Sequence, residues 1–282
     1  MEFPSQSQFF FNSPKGKIHY RWYRSSNESS CVCVLPGFSF PASLYHNFAL
    51  GLYESGYSVI VVDYWGRGHT SAQRDDEYTL ESNRSLVVSL LEHLSVNKCT
   101  FVGFSYGCAV AALIAATKNE IVNKIVLCSP FHCNGEPITP LQQLTLSIPI
   151  LGNLVFKFSA RRNVPFSLEN QISERPNKKE LIDTISPHII QHSISRSSEI
   201  TQSIGSFDLS QVERAIAGLV DINKQILVLC GSKDKIIHVE QCQVWWSKWV
   251  PNSSFLLIPN SGHLIFLEEP AATLAAIKQF LK

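Results

Sequence analysis

Residues 103–107 read Gly-Phe-Ser-Tyr-Gly, a serine held between two glycines. The apolar run CTFVG at 99–103 leads into it and a stretch of small residues follows from about 106 to 117, so the spacing predicts a strand, a tight turn and a helix. A turn of that kind lifts the Ser105 hydroxyl clear of a sheet and aims helix N-terminal N–H groups at negative charge developing beside it. The plainer reading is a serine that caps a helix; the correct flanks on both sides favour a nucleophile instead. A serine hydroxyl attacks a carbonyl only when a base takes its proton, so a histidine and a carboxylate to orient it are required.

Nine histidines are available. His263 lies in Asn260-Ser261-Gly262-His263, directly after the apolar run SFLLIPN at 254–260, where a loop can reach back over Ser105. Asp234, in Gly231-Ser232-Lys233-Asp234, holds the equivalent position after the preceding run, KQILVLCGSKD at 224–234. Taken singly, His263 could be a surface histidine and Asp234 a turn or helix-capping residue. Together, each at the end of a strand and in the order Ser, Asp, His, they match a nucleophile-elbow relay. His69 in a glycine-rich turn, and His132, His188 and His192 farther along, read as structural or substrate-lining. Two backbone N–H groups are placed to receive an oxyanion: that of Tyr106, after the nucleophile, and that of Phe38, in Leu35-Pro36-Gly37-Phe38.

The elements that must position these groups follow from the apolar pattern. KIHYRWYR at 17–24 alternates like a half-buried strand, and CVCVLP at 31–36 is a short apolar run ended by Pro-Gly. Pro41 opens a helical stretch that stops at Gly56, and a β-branched run, YSVIVVD, follows. A helix near 79–95, the strand at 99–103, the small-residue helix and the strand KIVLCSP at 124–130 continue the alternation. Strands alternating with helices imply a mostly parallel, buried sheet, with ligands beyond the carboxyl ends of its strands. After Pro130 the strands cease for about eighty residues and helical spacing takes over; the alternation then resumes to a final helix from Pro270. The reading is an α/β core at 1–130 and 211–282, interrupted by a helical insertion at 131–210.

Composition excludes other classes. With 45% of residues apolar and 17% charged, the 282-residue chain can bury a large core. Lys and Arg number 24 against 23 for Asp and Glu, which leaves no field to gather nucleic acid. Eight cysteines without a basic-then-apolar leader or any CxxC spacing read as reduced, structural thiols in the cytoplasm, and no metal site is expected. No transmembrane segment is expected, because Pro149 and Gly152 interrupt the best apolar stretch.

Five segments, LPGF at 35–38, DYWGRGHT at 63–70, GFSYG at 103–107, GSKD at 231–234 and NSGH at 260–263, stand in an order that resembles the α/β-hydrolase superfamily over nearly the whole chain. The resemblance implies an eight-stranded α/β sheet, mostly parallel and flanked by helices, with a helical cap at about 131–210. It further implies a triad of Ser105, Asp234 and His263, an acyl-enzyme intermediate and no cofactor. Many relatives carry His-Gly where this chain has Pro36-Gly37, so the family imidazole that braces the oxyanion loop is absent while the backbone donor survives. A serine at the elbow argues against the carboxylate-nucleophile chemistries of the same fold. The apolar piece Leu141 to Phe158 reads as cap packing, with a lipid-facing lid and transient contact with a membrane surface as the other reading. Seven basic and seven acidic residues across 131–210 imply no charged substrate. The tryptophans 245, 246 and 249 read as packing against the sheet.

The expectation is a hydrolase of apolar esters, lipid-derived ones included, acting on small molecules. Three other readings stay open: a prolyl-aminopeptidase-like amidase, which needs a cap carboxylate such as Glu169, Glu174 or Glu199; a carbon–carbon bond hydrolase; and a ligand-binding or signalling protein of low turnover. The oligomeric state is not fixed by the sequence.

Overall fold

Apolar side chains on both faces of short β-branched runs force a sheet covered on two sides, and helices supply the cover. The computed structural model describes residues 7–26, 31–72, 78–130 and 148–282. Its strands are β1 (Gln8–Ser13), β2 (Gly16–Tyr23), β3 (Cys31–Leu35), β4 (Ser58–Val62), β5 (Cys99–Phe104), β6 (Val122–Cys128), β7 (Ile226–Gly231) and β8 (Ser253–Ile258). They form one eight-stranded sheet in the order β1-β2-β4-β3-β5-β6-β7-β8. The β1–β2 and β2–β4 pairings are antiparallel and the others parallel. β3 pairs with β4 on one side and β5 on the other, the switch in strand order beside which α/β sheets open a crevice.

The helices are α1 (His46–Tyr53), α2 (Leu80–His93), α3 (Tyr106–Thr117), α4 (Pro149–Gln171), α5 (Lys178–Ser195), α6 (Ser197–Gly205), α7 (Leu209–Ala217), α8 (Val239–Trp249), the single turn α9 (Ile265–Glu268) and α10 (Pro270–Leu281). After Tyr106 the first turns of α3 carry only small side chains, and Gly107, Cys108, Ala109, Val110, Ala111 and Ala112 are all buried. β3 shows the two-sided burial: Cys33 and Leu35 join the core under α2, α3 and α8, while Val32 and Val34 join the core under α1 and α10. Leu168 of α4 and Ile182, Ile185 and Ile189 of α5 join the second core, which also holds Phe104, Cys128 and Leu229 from the sheet. α7 packs back onto α3.

The eighth strand, β1, is the element that the apolar pattern passed over. It pairs with β2 through a hairpin closed at Ser13 and Gly16. β2 itself is more deeply buried than a half-buried strand, with Ile18, His19, Tyr20 and Arg21 all inside. α4 begins at Pro149 and runs on through Gly152 for 23 residues. Among the described residues no helix is long and apolar enough to cross a membrane. Among the described residues seven cysteines are buried and in no disulfide, as expected of thiols used as small apolar side chains. Trp246 is fully buried in the core, whereas Trp249 is half exposed. His132 and the first part of the apolar piece, residues 141–147, lie outside the described residues.

Candidate active site

Ser105 stands between β5 and α3 with φ +50° and ψ −111°, a conformation that a side chain occupies only under strain, at a cost of about 1–3 kcal/mol. Its surroundings hold it there. The Ser105 N–H donates to the Cys128 carbonyl at 2.9 Å, and the Ser105 carbonyl accepts from Cys108 N–H at 3.0 Å. Gly107 is obligatory, since a Cβ there would lie 2.1 Å from the Leu35 carbonyl oxygen. This close approach lets α3 start directly beneath the end of β3, bringing Ser105 and the 35–38 loop together.

Asp234 and His263 sit on the loops after β7 and β8. The His263 Nδ1 and Asp234 Oδ2 atoms are 2.9 Å apart, with the carboxylate fully buried and the imidazole nearly so. The other Asp234 oxygen, Oδ1, accepts from the N–H groups of Ile236 (2.8 Å) and Ile237 (3.2 Å). The turn role and the partner role of Asp234 thus coexist, one oxygen for each. Ser105 and His263 both line a cavity of about 460 Å³ that also touches Phe38 and Tyr106. Among the described residues no hydrogen bond joins Ser105 to His263. The remaining wall is largely apolar, with Phe40, Phe104, Phe207 and Phe266 among its side chains; α4 contributes Ser167 and Gln171, and Lys235, which also reaches Glu174 at 3.5 Å, is its one cation among the described residues.

The 35–38 loop has a bracing of its own. Gly37 N–H donates to the Tyr45 hydroxyl at 2.9 Å, the Gly37 carbonyl accepts from Phe40 N–H at 3.3 Å, and Arg67 Nε donates to the Phe38 carbonyl at 2.9 Å. Because a trans peptide points its C=O and N–H in opposite directions, the bond to the Gly37 carbonyl sets the direction of the Phe38 N–H. Tyr45 and Arg67 therefore stabilise a loop that lacks the imidazole expected before Gly37. Arg67 is buried, and burial lowers its pKa to about 10, against the opposing pull of Tyr106 and Glu199. It stays charged at neutral pH, close to both candidate N–H donors. Burial also pushes the Tyr106 phenol up to about 12, so it remains neutral.

Beneath Arg67, Asp63 organises the 63–70 loop. Its carboxylate accepts from His19 Nδ1 (2.6 Å), Ala42 N–H (2.6 Å) and His69 N–H (3.1 Å). Burial works to raise its pKa, but His19 and the two backbone donors outweigh it and hold the carboxyl below the usual range. His69 is thus part of this scaffold, His192 is buried close by, and His188 is exposed. None of the three lines the cavity.

Sequence reasoning did not single out Glu268. Its fully buried carboxylate accepts from Gly262 N–H at 3.0 Å, Ser173 N–H at 2.8 Å and Ser173 Oγ at 2.7 Å. His263 N–H donates to the Gln171 carbonyl at 2.7 Å, and a Cβ on Gly262 would lie 2.4 Å from that same oxygen. The His263 loop is therefore fastened to the C-terminal end of α4 through Glu268 and Gln171. The carboxylates considered for an amino-group anchor are engaged elsewhere. Glu169 and Glu174 pair with Lys178 at 3.0 and 2.8 Å, and Glu199 with Arg196 at 3.5 Å; none lines the cavity.

A strand-turn-helix serine, an imidazole after the last strand and a buried carboxylate after the one before it, on a sheet of this order, point to one family, and its profile matches residues 31–270. The chain belongs to the alpha/beta hydrolase fold family. It is a hydrolase by that membership. The Bacillus subtilis protein named "Uncharacterized hydrolase YugF" is 24% identical over 269 residues, 94% of each chain. The 2-hydroxymuconate semialdehyde hydrolase of Pseudomonas putida is 24% identical over 230 residues, 79% of this chain and 76% of that one. Among solved structures, a thermophilic esterase from Thermogutta terrifontis superposes with a TM-score of 0.77 at 20% identity, covering 97% of each chain. The structural likeness is one of fold.

Proposed function

We propose that the chain is a serine hydrolase of carboxylic esters with apolar acyl groups, with Ser105 as nucleophile, His263 as general base and acid, and Asp234 as its orienting carboxylate. The observation that carries the reading is the meeting of Ser105 and His263 on one apolar-walled cavity, with Asp234 bonded to the far side of the imidazole. With Asp234 accepting at Nδ1, the neutral imidazole keeps its lone pair on Nε2 to receive the serine proton. Ser105 Oγ then bonds to the ester carbonyl carbon, and the carbonyl π pair moves to oxygen. The N–H groups of Phe38 and Tyr106 take up that negative charge. Collapse expels the alcohol, protonated by His263, and leaves acyl-Ser105. Water, deprotonated by His263, adds to the acyl carbon, and the acid departs as the proton returns to Ser105. One water is consumed, and one acid and one alcohol are formed.

The apolar wall supports an acyl chain over a charged group, and helices α4 to α6 serve as the cap above it. Ion-paired carboxylates away from the cavity disfavour the aminopeptidase reading. Labelling with a fluorophosphonate tests the reading: the wild type is expected to react and Ser105→Ala to stay unlabelled. An unlabelled wild type removes the serine-hydrolase reading and leaves a binding role. Turnover of short-chain esters and monoacylglycerols, aminoacyl arylamides and diketones then separates the bond types. Turnover of the arylamides or diketones alone contradicts the ester assignment.

A further inference from the structure

Along α4, Ile150, Leu151, Leu154, Val155 and Phe158 are exposed, Ile150 by 80% and Phe158 by 84%. Their spacing of i, i+1, i+4, i+5 and i+8 places them on one stripe of the helix, while Gly152 and Ala160 on the other side are buried. Single exposed apolar residues are ordinary, but a contiguous stripe is a surface meant to be covered. Lys157, Arg161 and Arg162 are exposed on the same helix, which has no acidic residue before Glu169. A chain of net charge +1 has therefore gathered three cations around this apolar stripe.

We propose that this face of α4 seats the protein on an anionic lipid surface. Apolar side chains at the centre and cations beside them suit the boundary between acyl chains and anionic headgroups. From Ile150 to Phe158 the helix rises only about 12 Å, enough to lie in that boundary and not to cross it. A second copy of the chain fits less well, because a twofold contact through this stripe brings like charges together. The C-terminal part of α4 lines the cavity through Ser167 and Gln171, so the helix that meets the lipid also walls the path to Ser105. The biological use of such docking rests on the apolar-ester reading; the docking itself does not.

The test is flotation of the full chain with vesicles of phosphatidylcholine containing about a third phosphatidylglycerol, against phosphatidylcholine alone, at low and high salt. Binding is expected to fall roughly 100-fold without the anionic lipid or at high salt. Arg161→Glu with Arg162→Glu is expected to act likewise, and Leu154→Asp with Phe158→Asp to weaken binding at least about tenfold. Neither Leu154 nor Phe158 lines the cavity, so turnover of a soluble short-chain ester by the latter variant should match the wild type, with an unchanged melting temperature. Equal binding by wild type and variants, or none by either, overturns the proposal. So does a dimer in light scattering that the aspartates dissolve, which assigns the stripe to a second copy. A melting temperature lowered by the aspartates assigns the stripe to another part of the same chain. Loss of ester turnover together with intact vesicle binding overturns the ester reading alone.

Discussion

Glu268→Ala is the most informative single change outside the proposed triad. In the structure one carboxylate serves three donors, Gly262 N–H, Ser173 N–H and Ser173 Oγ. The hydroxyl keeps a second acceptor, the Asn260 carbonyl at 2.9 Å, so the mutation orphans two buried backbone N–H groups. Each orphaned donor costs about 1–3 kcal/mol, and water admitted to the vacated space returns part of that, giving a net loss of about 3 kcal/mol. For a chain of 282 residues that lowers the melting temperature by roughly 5 °C. Gly262 precedes His263 directly, so the imidazole loses its fixed approach to Ser105. A misplacement of about 1 Å accounts for a fall in kcat of roughly 100-fold. Glu268→Gln keeps an oxygen for the two N–H groups and should recover most of the stability and much of the rate. The assays are thermal unfolding and kcat normalised to fluorophosphonate-reactive sites. A Glu268→Ala protein whose melting temperature and normalised kcat both match the wild type refutes the positioning role.

His192 is buried and, among the described residues, its Nε2 has no hydrogen-bond partner. Burial, with the charges of Arg67 and Arg196 beside it and only Asp63 opposing, pushes its pKa down to about 4. Between pH 6.5 and 4 the unfolded chain binds the proton and the folded one does not, so stability falls as pH is lowered through that window, by roughly 3 kcal/mol. His192→Leu should flatten this part of a stability–pH curve measured by urea unfolding; an unchanged slope rejects the assignment. The depressed carboxyl of Asp63 loses stability only below its unfolded pKa of about 3.9, so the two contributions separate. Arg67→Met keeps the stem but removes the donor to the Phe38 carbonyl and the nearby charge. Its kcat is expected to drop about 10- to 100-fold with KM little changed, and its affinity for a boronic acid mimic of the tetrahedral state should fall in parallel. A lowered melting temperature with normal kcat per labelled site reduces Arg67 to a structural role.

Much of the fold is legible because its causes are local. The runs around CVCVL, SVIVV and ILVLCG are strands whose two faces are both buried, and short β-branched stretches bounded by glycine and proline declare that directly. β1 escaped because QFFFNS places Phe9 and Phe10 side by side at an edge, both partly exposed, with no alternation to mark a face. Ser105, Asp234 and His263 stood out as candidates because Ser105 follows β5 directly and the other two fall in the loops just after β7 and β8. Glu268 did not, since LEEP reads as a solvated acidic pair before a proline, and its burial comes from Ser173, 95 residues earlier. Arg67 was seen only as part of a glycine-rich segment; its partner, the Phe38 carbonyl, depends on how two distant loops pack. The missing imidazole before Gly37 was visible, whereas the Tyr45 hydroxyl that holds Gly37 comes from the helical turn after Pro41.

The central claim is that the acyl group passes through Ser105. Rapid quenching of the enzyme with an excess of a p-nitrophenyl ester, followed by digestion and mass spectrometry, looks for that intermediate directly. An acyl group on the peptide holding Ser105, formed in step with a burst of p-nitrophenol and absent from Ser105→Ala, is the result expected. Steady ester hydrolysis by the wild type with no acylated Ser105 at any time, and undiminished hydrolysis by Ser105→Ala, is the result that contradicts it.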